Sequence, residues 1–152
     1  MSCRYKGFTL VELLVTIAIV GILAATAFPA YRTWQQRAFS SEAKVMLKQL
    51  INAEIAYYLE NEEFYPPGGG PISIGHDLVD PPDATESVRQ NLNITIPKGH
   101  LINYDLYTTE DGYFYLLMSS YGNFNIFEGT PNLSATLDKD GTVTILYGGA
   151  PE

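Results

Sequence analysis

The sequence predicts an α+β fold in which one long N-terminal helix, half membrane-spanning and half amphipathic, packs on a three- or four-stranded antiparallel sheet. Three observations carry this expectation. Residues 8–30 form an apolar run interrupted by a single charge. Beyond it, Leu47, Ile51, Ile55, Tyr58 and Leu59 recur at helical spacing and make a stripe that needs a partner surface. The last third of the chain alternates apolar and polar residues in two hairpin patterns.

The apolar run reads FTLVELLVTIAIVGILAATAFPA, which is 23 residues with Glu12 as its one charge. As a helix it would span roughly 35 Å, enough to cross a hydrocarbon core. Arg4 and Lys6 precede it, so the positive-inside rule leaves the N-terminus in the cytoplasm and the chain after Tyr31 outside. A secretory signal could also begin this way, with Ala24, Ala25 and Ala27 imitating a small-residue cleavage site. A plain membrane anchor is a third reading. Neither accounts for Glu12, because a carboxylate in an apolar helix costs a few kcal/mol and calls for a partner. A protonated or snorkelling Glu12 is the alternative. Gly21 and Pro29 interrupt the same helix; a membrane helix tolerates both, or they mark a place where it bends or melts.

The helix is expected to continue to about residue 62, with Lys44, Lys48 and Asn52 on a solvent-facing side. Arg32 and Arg37 sit just beyond the span, facing solvent or headgroups, or acids of a neighbour. Tyr65-Pro66-Pro67-Gly68-Gly69-Gly70-Pro71 ends it, since neither Pro nor consecutive Gly can extend a helix. Residues 64–99 read as a loop-rich connection with one short helix near Ala84–Leu92. Strands are expected over Leu101–Thr109 and Tyr113–Tyr121, joined at Glu110-Asp111-Gly112, and over Leu133–Leu137 and Thr142–Tyr147, joined at Asp138-Lys139-Asp140-Gly141. Val143, Ile145 and Tyr147 would form one apolar face of the last strand.

With 152 residues the chain suits one modest folded domain, and 46% apolar against 17% charged residues argues against disorder. Its net charge of −8 argues against sequence-independent binding to nucleic acid. Cys3 is the single cysteine, so no intrachain disulfide can form. Asp138 and Asp140 are the one candidate calcium pair, but the further acids of an EF-hand loop are missing and a turn is the simpler reading. No other cofactor is expected. His76 and His100 are isolated in sequence and make a poor metal set. Asn93-Ile94-Thr95 and Asn132-Leu133-Ser134 match the glycosylation sequon. Eleven tyrosines suit strands and half-buried surfaces. No motif for catalysis is present, and no enzyme activity is expected.

The string Lys6-Gly7-Phe8-Thr9-Leu10-Val11-Glu12-Leu13-Leu14, followed by Gly21-Ile22-Leu23-Ala24-Ala25 and Pro29-Ala30-Tyr31, resembles the class III leader and N-terminal helix of type IV pilins and type II secretion pseudopilins. The resemblance implies a leader of residues 1–7, a membrane and filament-core helix over 8–31, and a globular pilin domain over 32–152. It implies cleavage between Gly7 and Phe8 by a prepilin peptidase and N-methylation of Phe8. The mature chain would then hold 7 cations against 17 acids, a charge of −10. Glu12 would pair with the new terminal amine of a neighbouring subunit, and Gly21 and Pro29 would mark a segment that loosens on assembly. The expected partners are copies of this chain in a helical filament, the peptidase, an inner-membrane assembly platform and, before assembly, the membrane itself. The implied location is the inner membrane, single-pass with the N-terminus cytoplasmic, then an extracellular pilus. Alternatives are a periplasmic pseudopilus of a type II secretion system and, from another class, a membrane-tethered periplasmic binding domain.

Overall fold

A computed structural model describes residues 7–76, 82–97, 101–122, 125–126 and 129–148, with the side chains of residues 82 and 83 left aside. The chain divides into two units, one ending at Arg37 and the other beginning at Ala38. Helix α1, Leu10–Asn61, contributes to both.

Over residues 10–30 the helix is apolar around its whole circumference, with Glu12 as its one charge. Phe8 is 76% exposed, Ile22 68% and Trp34 68%. This helix is long and apolar enough to cross a membrane. Its hydroxyls turn inward to the backbone. Thr16 donates to the Glu12 carbonyl at 2.5 Å, Thr26 to that of Leu23 at 3.0 Å and Thr33 to that of Pro29 at 3.1 Å. Such bonds hide polar groups that an apolar medium would leave unpaired. Helical structure runs through both Gly21 and Pro29. The Arg32 guanidinium lies over the Phe28 ring, 4.6 Å from its centroid.

The second unit is one α-helical segment laid on a sheet. Its strands are β1 (Ile72–Ile74), β2 (Ile102–Thr108), β3 (Phe114–Ser120), β4 (Asn132–Leu137) and β5 (Val143–Tyr147), and a second helix, α2 (Pro82–Leu92), lies between β1 and β2 in sequence. Each strand pairs antiparallel with the one before it, giving the order β1-β2-β3-β4-β5. The sheet therefore has five strands rather than three or four. The addition, β1, is only three residues long and too short to show a period-two pattern. α2 confirms the short helix expected near Ala84–Leu92.

Register sets the core. Tyr104↔Met118, Leu106↔Leu116 and Thr108↔Phe114 face each other across β2 and β3, and Phe114↔Leu137, Leu116↔Ala135 and Met118↔Leu133 continue the face into β4. The apolar side chains among these are buried. Against them α1 presents Ala43, Met46, Leu47, Leu50, Ile51 and Glu54, all buried. The expected stripe is thus right at Leu47 and Ile51 but drifts off the buried face further on: Ile55 and Tyr58 are half-buried and Leu59 is 77% exposed. Each step of four residues on a helix of 3.6 per turn overshoots a full turn by about 40°, so a stripe stepped by fours from Leu47 has rotated about 120° by Leu59. Lys44, Lys48 and Asn52 are exposed, as expected. The face of β5 formed by Val143, Ile145 and Tyr147 is apolar, yet these residues remain 37%, 38% and 58% exposed.

Both hairpins use one turn design. The Thr109 N–H donates to the Tyr113 carbonyl and Gly112 N–H to that of Thr109; Asp138 N–H donates to the Thr142 carbonyl and Gly141 N–H to that of Asp138. Gly112 and Gly141 sit at φ 77° and 82°, where a side chain would be strained. α1 ends at Asn61 because Glu62 takes a left-handed conformation, φ 61°, a position that favours glycine. Replacing Glu62 by Gly should therefore raise stability by about 1 kcal/mol, whereas Leu116→Ala in the buried face should cost roughly 2–5 kcal/mol. Urea unfolding of the full chain in detergent, followed by near-ultraviolet tyrosine dichroism, would give both values; a loss of stability in Glu62→Gly would contradict this reading of the helix end.

Candidate functional site

The first turn of α1 holds the candidate assembly residue. Thr9 precedes the helix and Glu12 is its third residue, the spacing at which two side chains can cap a helix reciprocally. They do so here. The Glu12 N–H donates to Thr9 Oγ1 at 3.2 Å. Glu12 Oε2 accepts both the Thr9 N–H at 2.9 Å and the Thr9 hydroxyl at 2.8 Å. The cap also satisfies N–H groups that the first turn of any helix leaves without helical partners. Sequence reasoning misses Thr9, although the Thr-x-x-Glu signature is present. The apolar surroundings draw attention to the cost of Glu12 and away from its own neighbour.

The structure thus gives Glu12 a partner inside its own chain. All of its side-chain hydrogen bonds among the described residues fall on Oε2, which leaves Oε1 as a second acceptor. A carboxylate held in one rotamer by its helix cap is preorganised for a cation arriving at its other oxygen. Gly7 and Phe8 lie immediately before this turn, and a Cβ on Gly7 would meet open space. Gly21 likewise has nothing close to it within the chain. Arg4, Lys6 and Cys3 lie outside the described residues.

The other candidates resolve into structural roles or lie elsewhere. Asp138 Oδ1 accepts the N–H groups of Asp140 at 3.0 Å and Thr142 at 2.7 Å, closing the β4–β5 hairpin. Thr109 plays the same part in the β2–β3 hairpin, where its Oγ1 accepts the Tyr113 N–H at 3.0 Å. A threonine that substitutes for Asp138 in an equivalent turn argues for a turn-closing role. Among the described residues no three His, Cys, Asp or Glu side chains converge as a metal set. His76 stacks on Tyr121, and its backbone N–H donates to Asn103 Oδ1 at 2.8 Å. His100 lies outside the described residues. Of the sequon residues, Asn93 is exposed just after α2 and Asn132 is half-buried on β4.

Two tyrosine pairs form within the second unit among the described residues. Tyr107 stacks on Tyr115 across β2 and β3, with centroids 4.6 Å apart, and Tyr57 meets Tyr65 edge-on at 5.6 Å. The carboxylate that sequence reasoning passes over is Glu54, which is 0% exposed in the buried stripe of α1.

The prokaryotic N-terminal methylation motif matches residues 2–28. The chain is 48% identical over 64 residues to a fimbrial protein of Neisseria meningitidis serogroup B, covering 42% of this chain and 38% of that one. It is 49% identical over 61 residues to the type IV major pilin protein PilE1 of Neisseria gonorrhoeae, covering 40% and 37%. It is 44% identical over 61 residues to the type IV major pilin protein PilA of Myxococcus xanthus, covering 40% and 28%. The matched part thus spans well under half the length of these relatives. No solved structure matches the chain.

Removing the Thr9 hydroxyl should fray the first turn. In detergent-solubilised full chain, Thr9→Val should speed hydrogen exchange at the Glu12 amide roughly fivefold, matching a cap of about 1 kcal/mol, while Thr9→Ser should keep it protected. Equal exchange in the wild type and the valine variant would show that the cap carries no weight.

Proposed function

We propose that this chain is a structural subunit of a type IV pilus, stored in the inner membrane through residues 8–31 and assembled into a helical filament through the same helix. The observation that carries the reading is the coincidence of the methylation motif with a helix that its own chain leaves exposed all round. Such a helix needs lipid first and like helices afterwards. Moving from lipid to a helix bundle exchanges one apolar environment for another, so burial alone supplies little drive. Small residues that let helices approach, Gly21, Ala24 and Ala25, and the paired carboxylate of Glu12 then supply register.

In this reading a prepilin peptidase cuts between Gly7 and Phe8 and the new terminus at Phe8 is methylated. Cleavage creates an amine beside a carboxylate whose Oε1 is still available. A neighbour's amine docking there would add a charge-assisted hydrogen bond to a group already positioned by Thr9. Helical structure through Gly21 and Pro29 describes the subunit by itself, and loosening of that stretch belongs to the assembled state. The role is structural, with the peptidase and the assembly platform acting on the chain. The matched relatives are named as fimbrial proteins and major pilins, which favours a pilus over a pseudopilus.

Intact mass and N-terminal sequencing of sheared surface filaments would test this directly. The expected result is a chain that begins at Phe8 and carries one N-methyl group. An intact leader, or a cut near Ala27, would replace this reading with a tethered or secreted protein. Glu12→Ala should insert and be processed normally but yield no filaments; normal filaments from that variant would remove Glu12 from the assembly mechanism.

A further inference from the structure

The strap that follows α1, residues 62–71, is tied to the rest of the second unit by three contacts besides that of Tyr65 with Tyr57. Phe64 is 3% exposed, stacks on Tyr58 of α1 with centroids 4.5 Å apart and approaches Phe114 of β3 at 6.3 Å. The Tyr65 hydroxyl shares a hydrogen bond with the Ser87 hydroxyl of α2. The Tyr65 N–H donates to Glu54 Oε2 at 3.1 Å. The third tie differs from the others because its acceptor is ionisable and completely buried.

Glu54 is 0% exposed, and its Oε1 has no hydrogen-bond partner among the described residues. A neutral carboxylic acid suits this site: one oxygen accepts the Tyr65 N–H as a carbonyl and the other carries the proton. A carboxylate does not suit it. Two charged oxygens would share a single backbone N–H in an apolar core, and an ionised group buried with one neutral donor is strongly disfavoured. Among the described residues no cation offsets that cost. The Tyr57 phenol on α1 feels Glu54 together with Glu63 and Tyr65 of the strap. All of these are neutral or become negative, so their field also favours the proton.

We propose that Glu54 is a proton-controlled latch: as a neutral acid it holds the strap against α1, and its ionisation releases the strap together with the Tyr65 tether to α2. Burial pushes the Glu54 carboxyl up to about 8, with the Tyr65 N–H pulling the other way by less. The ordinary value for this group is 4.5. The folded state therefore keeps a proton that the unfolded chain loses above that value. The contribution of Glu54 to stability is fully present below pH 4.5, is lost as pH rises towards about 8, and stays lost above it. Opening the strap is the local way to admit water to the charge without unfolding the sheet, and it means drawing out the buried Phe64, Tyr65 and Pro66 and parting Tyr65 from Tyr57. The latch does not depend on the pilus reading, because every group in it lies in the second unit.

The test uses the full chain in detergent micelles, labelled with ¹³C at the glutamate carboxyl and ¹⁵N at the amides. On titration from about pH 5 to about pH 10, the Glu54 carboxyl should move with a midpoint well above the ordinary carboxylate range, and the Tyr65 and Ser87 amides should shift with the same midpoint. In Glu54→Gln, whose amide mimics the neutral acid, those two amides should stay still over that range. The thermal midpoint of the wild type should fall by roughly 10 °C between pH 5 and pH 9, and that of the variant should stay level. A Glu54 midpoint near 4.5, or Tyr65 and Ser87 amides that ignore the titration or still follow it in the variant, would overturn the latch. Should the variant not fold, the wild-type titration decides by itself.

Discussion

A helix stripe is worth burying only where a flat apolar surface can meet it, and in this molecule that surface is a single sheet face built to match Ala43 to Glu54. Met118, Leu116 and Phe114 run down the middle strand, with Tyr104 and Leu106 on one flank and Leu133, Ala135 and Leu137 on the other. Everything else in the second unit is arranged around this contact. The strap carries Phe64 over the end of the stripe, α2 holds the strap through Ser87, and the hairpins keep the strands in the register that makes the face apolar. With Cys3 as the chain's one cysteine, packing and hydrogen bonds must hold this unit together without an internal covalent staple.

The first unit obeys the opposite constraint. Over residues 10–30 its helix offers no polar side, and its threonine hydroxyls are turned into the helix itself. The threonine hydroxyls bond to carbonyls one turn back, and Thr9 and Glu12 cap the helix start. Glu12 is consequently less of an anomaly within its chain than its formal charge suggests. One of its two oxygens is engaged in holding its own helix, and what remains is directional. The same residue can then hold its own helix start and still present a free oxygen without changing rotamer.

Much of this architecture is legible in the sequence. The apolar helix is readable because membrane physics acts on composition over a long window, where a few residues cannot mislead. The hairpins are readable because Asp-Gly at a turn forces a local backbone choice, so the four expected strands fall within a residue or so of where they lie. What escapes the sequence is short or relational. β1 has three residues and exists only because Tyr104, Asp105 and Leu106 lie beside it. The stripe beyond Ile51 is misplaced at Leu59 because a spacing rule cannot tell which side of a helix the sheet will occupy. Glu54 is overlooked in a stretch of helix formers, since nothing local marks a carboxylate that the tertiary fold will enclose. Asp138 and Asp140 resemble ligands in isolation, and only the β2–β3 hairpin, with a threonine filling the same place, gives the turn its meaning.

The order of the strands in the sheet is the order of the strands in the chain. A polypeptide emerging from a ribosome or a translocation pore delivers α1 first, then each strand next to the one already in place. No early strand has to wait at the exit for a distant partner, and none must be threaded between two that have already paired. The β2–β3 and β4–β5 loops closed in this way are short, which keeps the entropic barrier to those pairings low. The molecule is therefore suited to being folded while it is still being delivered, with its helix acting as the template and its last strand as the final piece laid down.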